Sequence, residues 1–73
     1  MSFELVDCTA TLLREIAMPD IDEKDVVTTY ALAIASTSPT DWSVVNAALA
    51  KRWGAKGRDR VKRDAWRRLG RAP

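Results

Sequence analysis

Ten of the twelve lysines and arginines in this 73-residue chain lie in its last third. Residues 51–73 carry ten basic and two acidic side chains, whereas residues 1–50 carry two basic and eight acidic ones. An arginine guanidinium can donate two parallel hydrogen bonds to a phosphate, a carboxylate or a guanine edge. The chemistry that this segment favours is therefore the recognition of an anion, either nucleic acid or an acidic protein surface.

The basic residues recur with the period of a helix. At 100° per residue, Arg60, Arg63, Arg67 and Arg71 fall within about 80° of one another. The opposite side of the same helix carries an apolar row, Val61, Ala65 and Leu69. The pattern predicts an amphipathic helix with an arginine-rich outer face.

A solvated surface helix is the alternative interpretation of this segment. The pairs Asp59–Arg63 and Asp64–Arg68 have the i, i+4 spacing of surface ion pairs. Such pairs contribute only about 0–1 kcal/mol each, so the charges could balance the acidic body without binding anything.

The composition excludes several kinds of site. Without histidine the chain cannot build a histidine triad, a histidine metal site or a histidine pH switch. A single cysteine, Cys8, excludes an internal disulfide and a multi-cysteine zinc site. The acidic run over residues 20–25 fails as a calcium loop because Asp25 stands where glycine is required. We expect no enzyme activity, no cofactor and no metal.

Proline and glycine divide the chain into four segments, and the few strand-like stretches favour an all-α fold. Capping-box spacing predicts that the second helix starts at Asp20 and the third at Ser38. Pro39 then occupies the first helical position of the third helix, and Gly54 is the predicted end of that helix. We expect one domain, residues 1–73, built as a small bundle of three to four helices over residues 3–17, 21–36, 39–53 and 57–69.

The last two predicted helices resemble a helix-turn-helix, the unit that places its second helix in a DNA major groove. The common pattern has a small residue four positions before the turn glycine, as Ala50 precedes Gly54. Its second half expects buried residues at Arg60 and Arg63, where this chain is charged. A longer turn over residues 54–57 would restore part of the register.

We expect the binding surface to comprise the basic residues of the last helix and of the turn before it. That helix carries no Asn or Gln to read base edges, which indicates phosphate contact with weak sequence specificity. Duplex DNA is the preferred partner, and RNA and an acidic protein remain open. The candidate site residues are Lys51, Arg52, Lys56, Arg58, Arg60, Arg63, Arg67 and Arg71.

Aromatic residues support a second nucleic-acid hypothesis. Trp42, Trp53 and Trp66 could stack on bases of a single strand, but their apolar helical spacing favours the core, with Trp66 at its edge. The opposite charges of the two parts of the chain also permit self-association. The apolar face is too narrow for strong membrane binding, and with no signal-peptide pattern we expect a cytoplasmic location.

Overall fold

The computed structural model describes residues 8–36 and 39–70. Its three helices are α1 (Cys8–Ala17), α2 (Glu23–Ala35) and α3 (Trp42–Arg68). The all-α prediction is confirmed over these residues. Residues 3–7 of the first predicted helix, the predicted cap Ser38 and the candidate site residue Arg71 lie outside the described residues.

The α3 helix is broken at Gly54, whose backbone has φ 76° and ψ 174°. We call residues 42–53 the N-terminal arm and residues 55–68 the C-terminal arm. The predicted stop at Gly54 is confirmed as a break, but the predicted four-residue turn over 54–57 is wrong because the chain is helical again from residue 55.

The start of α2 differs from the prediction. Its N-cap is Asp22 and not Asp20, and the Asp22 side chain makes no capping hydrogen bond. The Asp22 carbonyl instead accepts hydrogen bonds from the backbone N–H groups of Asp25 and Val26, at 3.0 and 3.3 Å. The backbone of Asp22 therefore begins this helix without help from its carboxylate.

The start of α3 is also later than predicted, at Trp42, and Pro39 lies outside the helix. The Asp41 Oδ1 atom caps it by accepting from the Val44 N–H at 3.3 Å. The preceding backbone is bound to the start of α1, because the Asp41 N–H donates to the Thr9 hydroxyl at 2.7 Å. These contacts hold residues 39–41 out of the helical conformation.

The core is shared by all three helices, and both arms of α3 contribute to it. The C-terminal arm is anchored by Val61 and Ala65, which are fully buried. Because they are four residues apart, they lie on one side of the arm and leave the other side to solvent. The remaining buried apolar residues are Leu12 and Ile16 of α1, Val26, Val27, Tyr30, Ala31 and Ala33 of α2, and Val45 and Leu49 of the N-terminal arm.

Two glycines make the break possible. The dihedral angles of Gly54 lie in a region that essentially only glycine occupies. Gly57 is buried against the N-terminal arm, and a Cβ atom built on it would lie 2.3 Å from the Trp53 Cβ atom. In an unbroken helix, Cβ atoms four residues apart are about 5–6 Å from each other, so the break brings the arms closer here.

We expect both glycines to resist substitution, for different reasons. Gly54→Ala should destabilise the fold by about 1–3 kcal/mol through backbone strain. Gly57→Ala should cost a similar amount, about 1–3 kcal/mol, because the added methyl group meets Trp53. Thermal and urea unfolding of the two variants would measure both effects. An ordinary helical glycine would give the opposite sign for Gly57→Ala, a stabilisation of about 0.5–1 kcal/mol, and that result would contradict the close approach.

Candidate nucleic-acid interface

Four basic residues form a row along the solvent side of the C-terminal arm. At 100° per residue they occupy an arc of about 60°, on the side away from Val61 and Ala65. Its first and last members are eleven positions apart, which corresponds to about 16 Å of helix. We call it the cationic stripe, and its members are Lys56, Arg60, Arg63 and Arg67.

Two members of the stripe have no partner within the described part of the chain. Lys56 and Arg67 are exposed, and neither side chain makes a hydrogen bond or an ion pair with a described residue. Among the same residues, the Arg63 side chain pairs only with its neighbour Asp64, with Nε 3.4 Å from Oδ1, and 59% of it stays exposed. These three cations are therefore available to an external anion.

Arg60 is bound to the body of the protein. Its Nε and Nη2 atoms donate to Oε1 and Oε2 of Glu23 at 3.0 and 3.2 Å, a two-point contact with the start of α2. The hydrogen bonds to Glu23, and then its negative charge, raise the pKa of the Arg60 guanidinium. The contact fixes the C-terminal arm beside α2 and neutralises one charge of the stripe.

Arg58 belongs to a different face of the arm. Its Cα direction is about 160° away from that of Lys56 at 100° per residue, and its side chain is 36% exposed. Its Nε atom lies 3.2 Å from Asp59 Oδ1. The structure thus does not bring Arg58 together with the stripe.

Lys51 and Arg52 lie on the N-terminal arm, next to α1. Arg52 donates from Nη1 to the Ile16 carbonyl at 2.9 Å and from Nη2 to the Pro19 carbonyl at 3.1 Å. Carbonyl groups at the end of a helix lack partners within it, so this guanidinium caps α1. Lys51 is exposed and lines a shallow groove with Leu13 and Ala17 of α1.

The predicted i, i+4 ion pairs are not formed. Arg63 contacts Asp64 and not Asp59, while Arg68 donates through Nη1 to the hydroxyl of Thr28 on α2. Arg68 therefore reaches across to α2, as Arg60 does. The acidic residues of this arm flank the cationic stripe without cancelling it.

Sequence reasoning missed two features of this face. Lys56 was predicted in a turn because Gly57 follows it, yet it lies four residues before Arg60 and seven before Arg63, a helical spacing that is visible in the sequence. The contact between Glu23 and Arg60 joins residues 37 positions apart, and no local pattern indicates it.

Comparisons with models of protein families, with curated proteins and with solved structures give no match for this chain. Within residues 8–36 and 39–70, no cluster of three or more metal-ligating side chains is present. Each helix in this described part of the chain is too short or too polar to span a membrane.

We expect Arg52 to act in stability and not in binding. Arg52→Gln should lower the free energy of unfolding by about 1–2 kcal/mol, because the carbonyl of Ile16 in the last turn of α1 and that of Pro19 just after the helix lose a charged donor. Its effect on nucleic-acid affinity should be below about twofold in anisotropy titrations at a temperature where the variant is folded. A stable variant with clearly weakened binding would instead place Arg52 at the interface.

Proposed function

We propose that this protein binds duplex DNA through the cationic stripe of the C-terminal arm, as a binding module without chemistry of its own. The observation that carries the proposal is the alignment of Lys56, Arg63 and Arg67 on one exposed helical face. Three cations in one row can contact successive phosphates at once. Scattered surface charges cannot do so with one orientation of the protein.

The shape of this face fits a duplex. The major groove is about 12 Å wide and admits an α-helix, whose phosphate walls then lie beside the basic side chains. The C-terminal arm is held by its buried side, through Val61 and Ala65, and its opposite side is free to approach DNA. The arm therefore enters the contact as a preformed element.

Glu23 and Arg60 set the orientation of the arm in this proposal. The two-point contact ties the middle of the arm to the first turn of α2. Arg60 keeps 47% of its side chain exposed in this contact. We therefore count three phosphate contacts for the stripe and treat Arg60 as a positioning residue.

The two arms together support a helix-turn-helix arrangement in a shortened form. The break occupies one residue, Gly54, in place of the longer turn of the common pattern. In the C-terminal arm the core side carries Val61 and Ala65, and not Arg60 and Arg63 as the common pattern expects. The positions that disagree with the common pattern are the ones that form the stripe.

The proposal predicts affinity with little sequence preference. No Asn or Gln lies in residues 55–68, so bidentate recognition of adenine is absent from this arm. Phosphate contacts fix register and orientation but carry no base information. The protein should therefore bind unrelated duplexes with similar affinity.

The test is a salt series of anisotropy titrations with a labelled duplex. Three phosphate contacts should give a slope of log K against log salt of about −3, because each contact contributes about −0.9. The double variant Lys56→Gln/Arg67→Gln should reduce that slope to about −1 and weaken binding to all sequences alike.

The matched control is Arg14→Gln/Lys51→Gln, which also removes one arginine and one lysine. Both control residues are exposed and lie on α1 and the N-terminal arm, outside the stripe. We expect the control to retain a slope near −3. Equal losses of duplex affinity in the two double variants would show that net charge, and not the stripe, governs binding. An absence of duplex binding at low salt would reject DNA in favour of an acidic protein partner.

A further inference from the structure

An open groove of about 440 Å³ lies beside the cationic stripe, between the C-terminal arm, α2 and the N-terminal arm. Its volume is within the range of ligand pockets, about 300–1,000 Å³. Three aromatic side chains line it, Tyr30, Trp42 and Trp66, together with Asn46, Ser36 and Lys62. We call it the aromatic groove.

Two of the three rings, those of Tyr30 and Trp42, contact each other and form one side of the groove. The Tyr30 and Trp42 ring centroids are 4.7 Å apart, and the Tyr30 hydroxyl donates to Asn46 Oδ1 at 3.1 Å. Burial raises the pKa of the Tyr30 phenol, against the opposing effect of the hydrogen bond to Asn46, so this donor remains protonated at neutral pH. Tyr30, Trp42 and Asn46 thus form one connected side of the groove.

The third ring is free. Trp66 is half-buried, and it is absent from the side chains that pack against the core, whereas Trp42 and Trp53 belong to them. Among the described residues no other ring stacks on it. A flat apolar surface of this kind is a stacking platform for a planar ligand.

The polar groups of the groove favour an anion with hydrogen-bond acceptors. Lys62 is a half-buried residue, and its ammonium forms no ion pair with the described residues. The Asn46 amide nitrogen has no acceptor there either, while its oxygen accepts from Tyr30. No carboxylate of the described residues lines this groove, in contrast to the groove between α2 and the same arm, which contains Glu23 and Asp64.

The groove also borders the cationic stripe. At 100° per residue, Trp66 lies about 60° around the arm from Arg63, and Lys62 lies about 40° farther in the same direction. A nucleic-acid strand whose phosphates follow the stripe therefore passes within reach of the Trp66 ring.

We propose that the aromatic groove binds one unpaired nucleobase of a single strand, stacked on Trp66 with an adjacent phosphate at the Lys62 ammonium. The amide of Asn46 then supplies donors to the acceptor atoms of the base. This inference extends the proposed nucleic-acid function but uses a different face and a different form of the ligand. It gives the protein affinity for strand ends, gaps or single strands in addition to duplex.

The test compares labelled oligothymidylate with labelled duplex in anisotropy titrations of the full chain. Trp66→Ala should weaken oligothymidylate binding by about tenfold, since loss of one stacked base has an effect of this size. Trp66→Phe, which keeps an aromatic face, should retain most of the oligothymidylate affinity that Trp66→Ala loses. Lys62→Gln should lower the single-strand salt slope by about 0.7, and the matched change Lys24→Gln should not.

Duplex binding separates this inference from the proposed function. Trp66→Ala should leave duplex affinity within about twofold of the unmodified protein, because the ring lies outside the stripe. Loss of duplex binding with the expected oligothymidylate pattern would reject the stripe and support the groove. Two results would overturn the proposed base-binding role of the groove. One is a change of less than about twofold in oligothymidylate affinity in both Trp66→Ala and Lys62→Gln, and the other is an absence of single-strand binding at low salt. Far-UV circular dichroism of each variant verifies that it is folded.

Discussion

The approach of the two arms of α3 across Gly54 is the constraint on which the rest of the structure depends. Trp53 and Gly57 can lie in contact only because residue 57 has no side chain and residue 54 adopts dihedral angles that other residues avoid. A straight helix through this point would carry Val61 and Ala65 away from α1 and α2. The break thus determines which side of the C-terminal arm is buried and, as a consequence, which side is basic and exposed.

The arginines of this chain divide into two groups with different tasks. Arg52, Arg60 and Arg68 donate to groups of other helices and hold the bundle together. Within residues 8–36 and 39–70, the side chains of Arg63 and Arg67 make no hydrogen bond or ion pair outside their own arm, and both residues are exposed. The charge of the last third of the chain therefore overstates its capacity for anion binding, because part of that charge is engaged in internal contacts.

Local patterns in the sequence were sufficient for the helices and insufficient for their junctions. The periodicity of Val61 and Ala65 predicted the buried side of the last helix correctly, and Gly54 marked the break. The start of α3 was predicted too early because the Asp41 N–H donates to Thr9, 32 residues away. Gly57 was interpreted as a turn residue, whereas it is required by close packing inside a helix. A contact between distant residues decided the start of α3, and the Glu23–Arg60 contact is of the same kind. The close packing of Gly57 is instead against Trp53, four residues earlier, and depends on the break at Gly54.

Nuclear magnetic resonance of the isotope-labelled protein during titration with duplex DNA tests the central claim most directly, since it locates the contact without altering any residue. If the cationic stripe binds DNA, the largest shifts should occur at the side-chain Nε–H groups of Arg63 and Arg67 and at the backbone around Lys56, and the Arg52 signal should not change. Shifts concentrated on α1 and the N-terminal arm, or spread evenly over all basic residues, would contradict this claim.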